Sequence, residues 1–331
     1  MQPFREWVVG EPDGSAIAPR RRQPIQPTRY TYGSEPTQFA ELRLPPRRKG
    51  QEAAALLRVA VFVHGGAWKN SWTLDLADAM ADDLTGQGWA TWNIEYRRCG
   101  HIGDDYAGDP GGGYPNTLLD VAAALDMLAD LAPAAHLDLD QVVIIGHSSG
   151  GHLALWLAQA HRSALLERHG MQCRIVPCMV VAQAPAADLA ERWADKAMNG
   201  GNAREGGDPN ERNAVEVMMG GSPETAGAEY LLASPAALLP LGVPTLLVNA
   251  RNDLDVPVGS VLAYAARAQE AGDLVETLIF DQDALADDVP GHFSIITPSL
   301  GEDGGWPMQV QKMEHLMSAA QAATTCRNMR L

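Results

Sequence analysis

No stretch of this 331-residue chain approaches the ~20 uninterrupted apolar residues that a membrane-spanning helix needs. The opening MQPFREWVVGEPDGSA likewise lacks an apolar core of signal-peptide length and a cleavage-site pattern. Cysteine is scarce. Cys99, Cys173, Cys178 and Cys326 form no CxxC pair and show no Cys/His metal spacing, so they read as reduced thiols and the expected setting is cytoplasmic. Positive charge is short as well. The 25 Lys and Arg against 41 Asp and Glu leave a net charge of −16, which would repel a nucleic-acid polyanion. No HExxH or comparable ligand set appears, and the acidic loop GDDYAGDPGGG lacks EF-hand spacing and reads as solvated. No metal or organic cofactor is expected, and repeats of solenoid period are absent.

What is present is ordinary globular composition, 46% apolar and 20% charged. Residues 1–50, rich in Pro, Arg and Gly, read as an N-terminal arm in which RYTYG and QFAELRLP pair as a hairpin. The cluster Arg20, Arg21, Arg22 reads as a solvated face. Residues 51–331 read as one domain of alternating strands and helices. RVAVFVH, WATWNIEYR, QVVII, CRIVPCMVVAQAP, PTLLVNA and LVETLIFD are the expected strands. LDLADAMADDLTGQG, TLLDVAAALDMLADLA, GGHLALWLAQAHR and VLAYAARAQEAG are the expected helices. That alternation calls for a mostly parallel sheet covered by helices on both faces, an α/β fold. Residues 186–240 interrupt the rhythm with a lid-like insertion, Gly-rich at 199–201 and 206–207.

Within this pattern GHSSG at 146–150 fits Gly-x-Ser-x-Gly, between the strand QVVII and the helix that follows. A serine in such a turn sits in a strained backbone conformation, and only very small side chains fit two residues before and after it, hence Gly146 and Gly150. A serine hydroxyl needs a base, and the base needs an orienting carboxylate. Downstream, Asp253 follows the strand PTLLVNA, with Asp255 as its competitor, and His292 follows the last strand. All three fall at carboxyl ends of parallel strands, the edge where sites in open α/β sheets form. His147 and His152 flank the turn and read as packed. His136, His161, His169 and His315 fall on helices or their ends, and His101 lies in a Gly/Asp-rich loop. The first strand runs into HGGAW, a turn whose amides at Gly66 and Ala67, with that of Ser149, are the candidate donors to an oxyanion. His64 reads as a brace for this loop. Trp68, Trp72, Tyr106, Trp193 and Met218 read equally as substrate-pocket or core residues.

HGGAW, GHSSGGH, NARNDLDVP and GHFSII together resemble the α/β-hydrolase superfamily, most of all small bacterial esterases and kynurenine formamidase-like enzymes, which carry an HGG-x-W loop. The resemblance runs from about Arg29 to the C-terminus and takes in EYRR and GGGYPNTLLDV. It implies an α/β-hydrolase fold with Ser148 as nucleophile, His292 as base and Asp253 as orienting acid. Departures are Ser149 where alanine is commoner, NA where many members have HG before the acid loop, and an extended loop DQDALADDVPG. The reaction this implies is cleavage of a small-molecule carboxylic ester through an acyl-serine. An arylformamide bond is the alternative, and a catalytically silent binding protein a more distant one. The natural substrate and the oligomeric state are not written in these motifs.

Overall fold

The structure, a computed structural model, describes residues 25–46, 55–100, 111–198, 213–281 and 291–328. Eight strands form one sheet: β1 (Thr28–Thr31), β2 (Phe39–Arg43), β3 (Leu57–Val63), β4 (Ala90–Ile94), β5 (Leu137–His147), β6 (Met179–Gln183), β7 (Thr245–Ala250) and β8 (Val275–Phe280). Their spatial order is β1-β2-β4-β3-β5-β6-β7-β8. The expected hairpin is there: β1 pairs antiparallel with β2, and β2 continues antiparallel onto β4. From β4 to β8 every neighbouring pair is parallel.

Among the described residues, ten α-helices connect and cover these strands: α1 (Asp78–Gly86), α2 (Asn116–Ala135), α3 (Ser149–Leu157), α4 (Ala164–Arg168), α5 (Leu189–Met198), α6 (Ala214–Met219), α7 (Gly227–Ala233), α8 (Val258–Glu270), α9 (Gly291–Ser294) and α10 (Trp306–Asn328). Every residue of β4, β6 and β7 is buried, so neither face of the central sheet meets water. This explains the unbroken apolar runs, because a strand covered on both faces has no polar side to alternate with. Among the described residues no helix is long and apolar enough to cross a membrane.

Three sequence expectations are corrected. The strand expected over WATWNIEYR stops at Ile94, because the Glu95 carboxylate accepts from the next amide, Tyr96 N at 3.0 Å, and turns the chain away. The strand expected from Cys173 begins only at Met179: Pro177 has no N–H for a ladder, and pairing starts where Cys178 N donates to Val142 O at 2.8 Å. The helix expected through Arg162 ends as α3 at Leu157, and a separate 3₁₀ turn covers Ala160–Arg162. The C-terminal helix α10 carries His315, which the sequence reading places on a helix without giving that helix bounds.

An ion pair between the buried Asp120 and the partly buried Arg97 ties the first strands to α2. Asp120, 2% exposed at its side chain, accepts from Arg97 Nε at 2.8 Å, Arg97 Nη2 at 2.7 Å, the Arg97 amide at 3.0 Å and Gln38 Nε2 at 2.7 Å. Removing one partner of such a pair strands the other charge. Asp120→Ala is expected to lower stability by about 3–5 kcal/mol. Urea unfolding should show a lower midpoint with an unchanged slope; an unchanged midpoint would show the pair to be structurally idle.

Candidate active site

The site is assembled by a register. β3 and β5 lie side by side with Val63 opposite Gly146, so the loops after them leave the sheet as neighbours. β5 hands over to α3 at Ser148, whose φ of 55° and ψ of −118° belong to neither strand nor helix. Its amide donates to Gln183 O at 2.7 Å and its carbonyl accepts from His152 N at 3.1 Å, which holds the turn from both sides. A Cβ at Gly146 would overlap the Gly150 carbonyl, and one at Gly150 would overlap the Val63 carbonyl. Glycine is required at both positions by this close approach.

The loop after β3 is strained in its own way. Gly66, Ala67 and Trp68 have φ values of 111°, 53° and 55° in succession. Positive φ at a non-glycine residue costs on the order of 1–3 kcal/mol, and persists only where the surroundings over-determine it. Here Cys99 N donates to Trp68 O at 2.7 Å and Trp68 N to Ser149 Oγ at 3.3 Å. Tyr96 Oη donates to His64 O at 2.9 Å, and the His64 ring stacks on Tyr96 at 4.3 Å. His64 is a brace: Nδ1 lies 2.8 Å from Gly65 O and Nε2 lies 3.0 Å from Glu95 Oε1.

Asp253 and His292 are brought together. Asp253 Oδ2 lies 2.7 Å from His292 Nδ1, while Oδ1 accepts the amides of Asp255 and Val256, each at 2.9 Å. Both side chains are almost fully buried, and Ser148 is half-buried. The His292 ring lies 4.5 Å from the ring of His147, so the His292 loop and the serine turn are adjacent. Asp255 instead gives its amide to Asp253 and its carbonyl to Arg192 Nη2 at 2.7 Å. One set of described residues, Asp253, Asp255 and His292, brings its ligand atoms within 4.8 Å of one another, as a metal would require. The short His292–Asp253 hydrogen bond occupies the direction in which a cation would have to sit.

The four candidate pocket residues divide. Trp72 is half-buried and stacks on Phe293 at 5.7 Å, beside His292. Trp193, partly buried on α5, donates from Nε1 to Glu216 Oε2 at 3.1 Å. Trp68 is buried edge-on against His152 at 5.4 Å, and Met218 is fully buried with Sδ 3.9 Å from Cys99 Sγ. His101, Tyr106, the 199–201 and 206–207 glycine segments and most of the loop before His292 lie outside the described residues. Sequence reasoning missed Phe293, Glu95 and Arg192. Phe293 had a signal in its position next to His292, and Glu95 in the quoted EYRR, but Arg192 had none.

The family described as BD-FAE matches residues 45–265. The chain belongs to the BD-FAE family. That match takes in the HGGAW loop, the serine turn and Asp253, and stops before His292. A curated relative, Esterase LipC of Mycobacterium tuberculosis (strain ATCC 25618 / H37Rv), is 28% identical over 150 residues, 45% of this chain. The aligned part spans 34% of that relative's length. Among solved structures, esterase B from Lactobacillus Rhamnosis (HN001) superposes with a TM-score of 0.71 at 18% identity, over 93% of this chain and 90% of that one. A bacterial heroin esterase gives a TM-score of 0.60 at 18% identity, over 91% of this chain and 84% of that one. These likenesses show that this BD-FAE member has the α/β-hydrolase fold.

Behind the HGGAW loop, Glu95 is the anion on which the brace depends. Its carboxylate accepts from His64 Nε2, from Leu74 N at 3.0 Å and from Tyr96 N at 3.0 Å, with Arg98 Nε at 3.4 Å. Burial pushes this carboxyl's pKa up, but His64, Arg98 and the Tyr96 amide outweigh it, so the net direction is below the ordinary value. A depressed carboxyl stabilises the fold above its unfolded pKa of ~4.3, and that contribution is lost as pH falls through the folded value. Glu95→Gln should therefore cost about 3–5 kcal/mol at neutral pH. The gap to the wild type should narrow on acidification; denaturant unfolding that shows a gap independent of pH would refute this account of the brace.

Proposed function

We propose that the protein is a serine hydrolase that cleaves small-molecule carboxylic esters through an acyl-serine intermediate. The observation that carries the reading is the 2.7 Å His292–Asp253 hydrogen bond beside a serine held at φ 55°. In this reading Ser148 Oγ attacks the ester carbonyl and His292 takes its proton at Nε2. Asp253 holds the Nδ1–H and favours the imidazolium as it forms. The amides of Gly66, Ala67 and Ser149 receive the oxyanion. His292 then protonates the departing alcohol, and water repeats the sequence to free the acid.

Trp72 is the proposed wall of the substrate slot nearest the reacting atoms, because it is half-exposed and stacked beside the base. Trp193 joins it from the insertion at 186–240, which is read as a lid on the domain spanning 51–331. Trp68 and Met218 would act from behind as packing. The similarity to proteins named as esterases supports an ester bond. A cytoplasmic setting belongs to the same proposal and draws support from Cys99, Cys173 and Cys178, which are free thiols. Burial pushes the thiols of Cys173 and Cys178 up to about 11, which keeps them protonated and inert at neutral pH.

Ser148→Ala is expected to lower kcat by roughly 10⁴- to 10⁶-fold with the fold intact, His292→Ala by a similar factor, and Asp253→Asn by somewhat less. Asp255→Asn should be milder than Asp253→Asn, since the carboxylate 2.7 Å from His292 Nδ1 is that of Asp253. A crippled Asp255→Asn beside a mild Asp253→Asn would reverse the assignment of the acid.

The bond type is tested by substrate ranking. An amide's poor leaving group must be protonated as it departs, whereas an ester's alkoxide leaves more readily. We expect kcat/KM for p-nitrophenyl butyrate, and for an unactivated alkyl ester beside it, to exceed that for N-formylkynurenine by at least about tenfold, or ~1.4 kcal/mol. A formamide that outruns both esters would overturn the ester reading.

A further inference from the structure

We propose that His147 is a positioning residue: its Nε2–H holds the backbone carbonyl of His292, so the strand that delivers the serine also sets where the base stands. This rests on the reading of His292 as the general base. The two groups are 2.8 Å apart, and a carbonyl can only accept, so the proton between them belongs to His147. His147 ends β5, where it pairs with Gln183 of β6 one residue beyond the Val63–Gly146 pair. It is 3% exposed and has no freedom to drift.

His292 needs such an anchor. It sits in α9, a helix of four residues, too short to be held by its own ladder. The hydrogen bond to Asp253 fixes how the ring turns but leaves the backbone unfixed. Other bonds hold the residues that follow it: Gln309 Nε2 donates to Ile295 O at 2.5 Å, Gly305 N to Ser294 O at 3.4 Å and Thr297 Oγ1 to Phe293 O at 2.8 Å. The His147 bond reaches the main chain of the base itself. The two rings lie 4.5 Å apart and are tilted by 52°, so they pack without sharing a proton.

The chemistry of His147 suits the task. Burial pushes its imidazole well below the usual range and the neighbouring His292 ring adds to this, while the bond to the carbonyl works the other way. It therefore stays neutral while His292 passes through its cationic form, when a second positive ring at this distance would oppose it. Gly65 leaves the ring its space, since a Cβ there would come 2.8 Å from His147 Nδ1.

Two variants of the full chain test this. His147→Leu keeps the volume and removes the donor, whereas the amide of His147→Gln can donate from near the Nε2 position. His147→Leu should lower kcat for p-nitrophenyl butyrate by ~10- to 100-fold with KM within about threefold, and slow labelling of Ser148 by a fluorophosphonate probe by a like factor. His147→Gln should recover about tenfold of that loss. Independently of turnover, hydrogen exchange of the amides at 291–296 should quicken about tenfold in His147→Leu and less in His147→Gln. Should the leucine variant not fold, His147→Asn, too short to reach the carbonyl, takes its place with the same expectations. The proposal is overturned if the donor-lacking variant keeps wild-type kcat and exchange, or if His147→Gln behaves like it. A wild type that neither turns over ester nor labels would sink the hydrolase reading, while the exchange comparison would still decide the anchor.

Discussion

The close approach of α3 to the end of β3 is the constraint on which the rest of the site depends. With Val63 opposite Gly146, the chain after β5 must turn within one residue to start a helix, and Gly150 then lies against the Val63 carbonyl. Sheet pairing alone would leave the two loops about a strand spacing apart. The glycines let them come closer, so that Trp68 N reaches Ser149 Oγ across the gap. A serine turn, a loop of candidate oxyanion donors and a base loop can share one rim only because this crossing is so tight.

Tightness stores strain, and the strain is not scattered. Of five non-glycine residues with positive φ among those described, Ala67, Trp68, Ser148 and Ala184 all follow the carboxyl ends of β3, β5 and β6. The fifth, His136, is an ordinary left-handed helix cap after α2. Three of these four are held by main-chain bonds to a neighbour: Ser148 N to Gln183 O, Ala184 N to Val248 O and Cys99 N to Trp68 O, each at 2.7 Å. Behind the strained loop stands a polar layer of Glu95, His64 and Arg98, all nearly without solvent contact. Strain on the solvent side of the sheet's edge is thus opposed by hydrogen bonds and a buried ion pair on its inner side, the pattern expected where a fold sacrifices local comfort for a fixed geometry.

The sequence was legible where one physical rule acts alone. Apolar runs mark strands buried on both faces, and β3, β5 and β7 lie where those runs lie, while β8 at the sheet edge keeps partly exposed residues. The spacing of Gly146, Ser148 and Gly150 marks a turn that no larger residues could make. It was less legible where a side chain competes with the backbone. Glu95 ends β4 by taking the Tyr96 amide that a strand would use, and nothing in the hydrophobic pattern of WATWNIEYR announces this. Pro177 did carry a warning, because it removes a ladder donor, yet the apolar run through it hid the boundary. Arg192 was out of reach, since its bond to the Asp255 carbonyl joins the insertion to the acid loop across 63 positions. Pairings of that kind depend on the finished fold.

Four histidines lie near the rim, and what each ring nitrogen faces separates them. A general base must offer a lone pair to the proton it takes. His64 faces acceptors at both nitrogens, Gly65 O and the Glu95 carboxylate, so its ring is taken up in bracing the loop. His147 and His152 each commit Nε2 to a carbonyl, of His292 at 2.8 Å and of Ala233 at 2.9 Å, and both are buried. Burial moves the pKa of His152 down to about 4, which matches a packed neutral ring. His292 alone among the four gives Nδ1 to a carboxylate and is held otherwise by its main chain. In the neutral ring that arrangement puts the lone pair on Nε2. The sequence reading proposes His292 from its position after the last strand, and the acceptors that the other three rings already face support the same proposal.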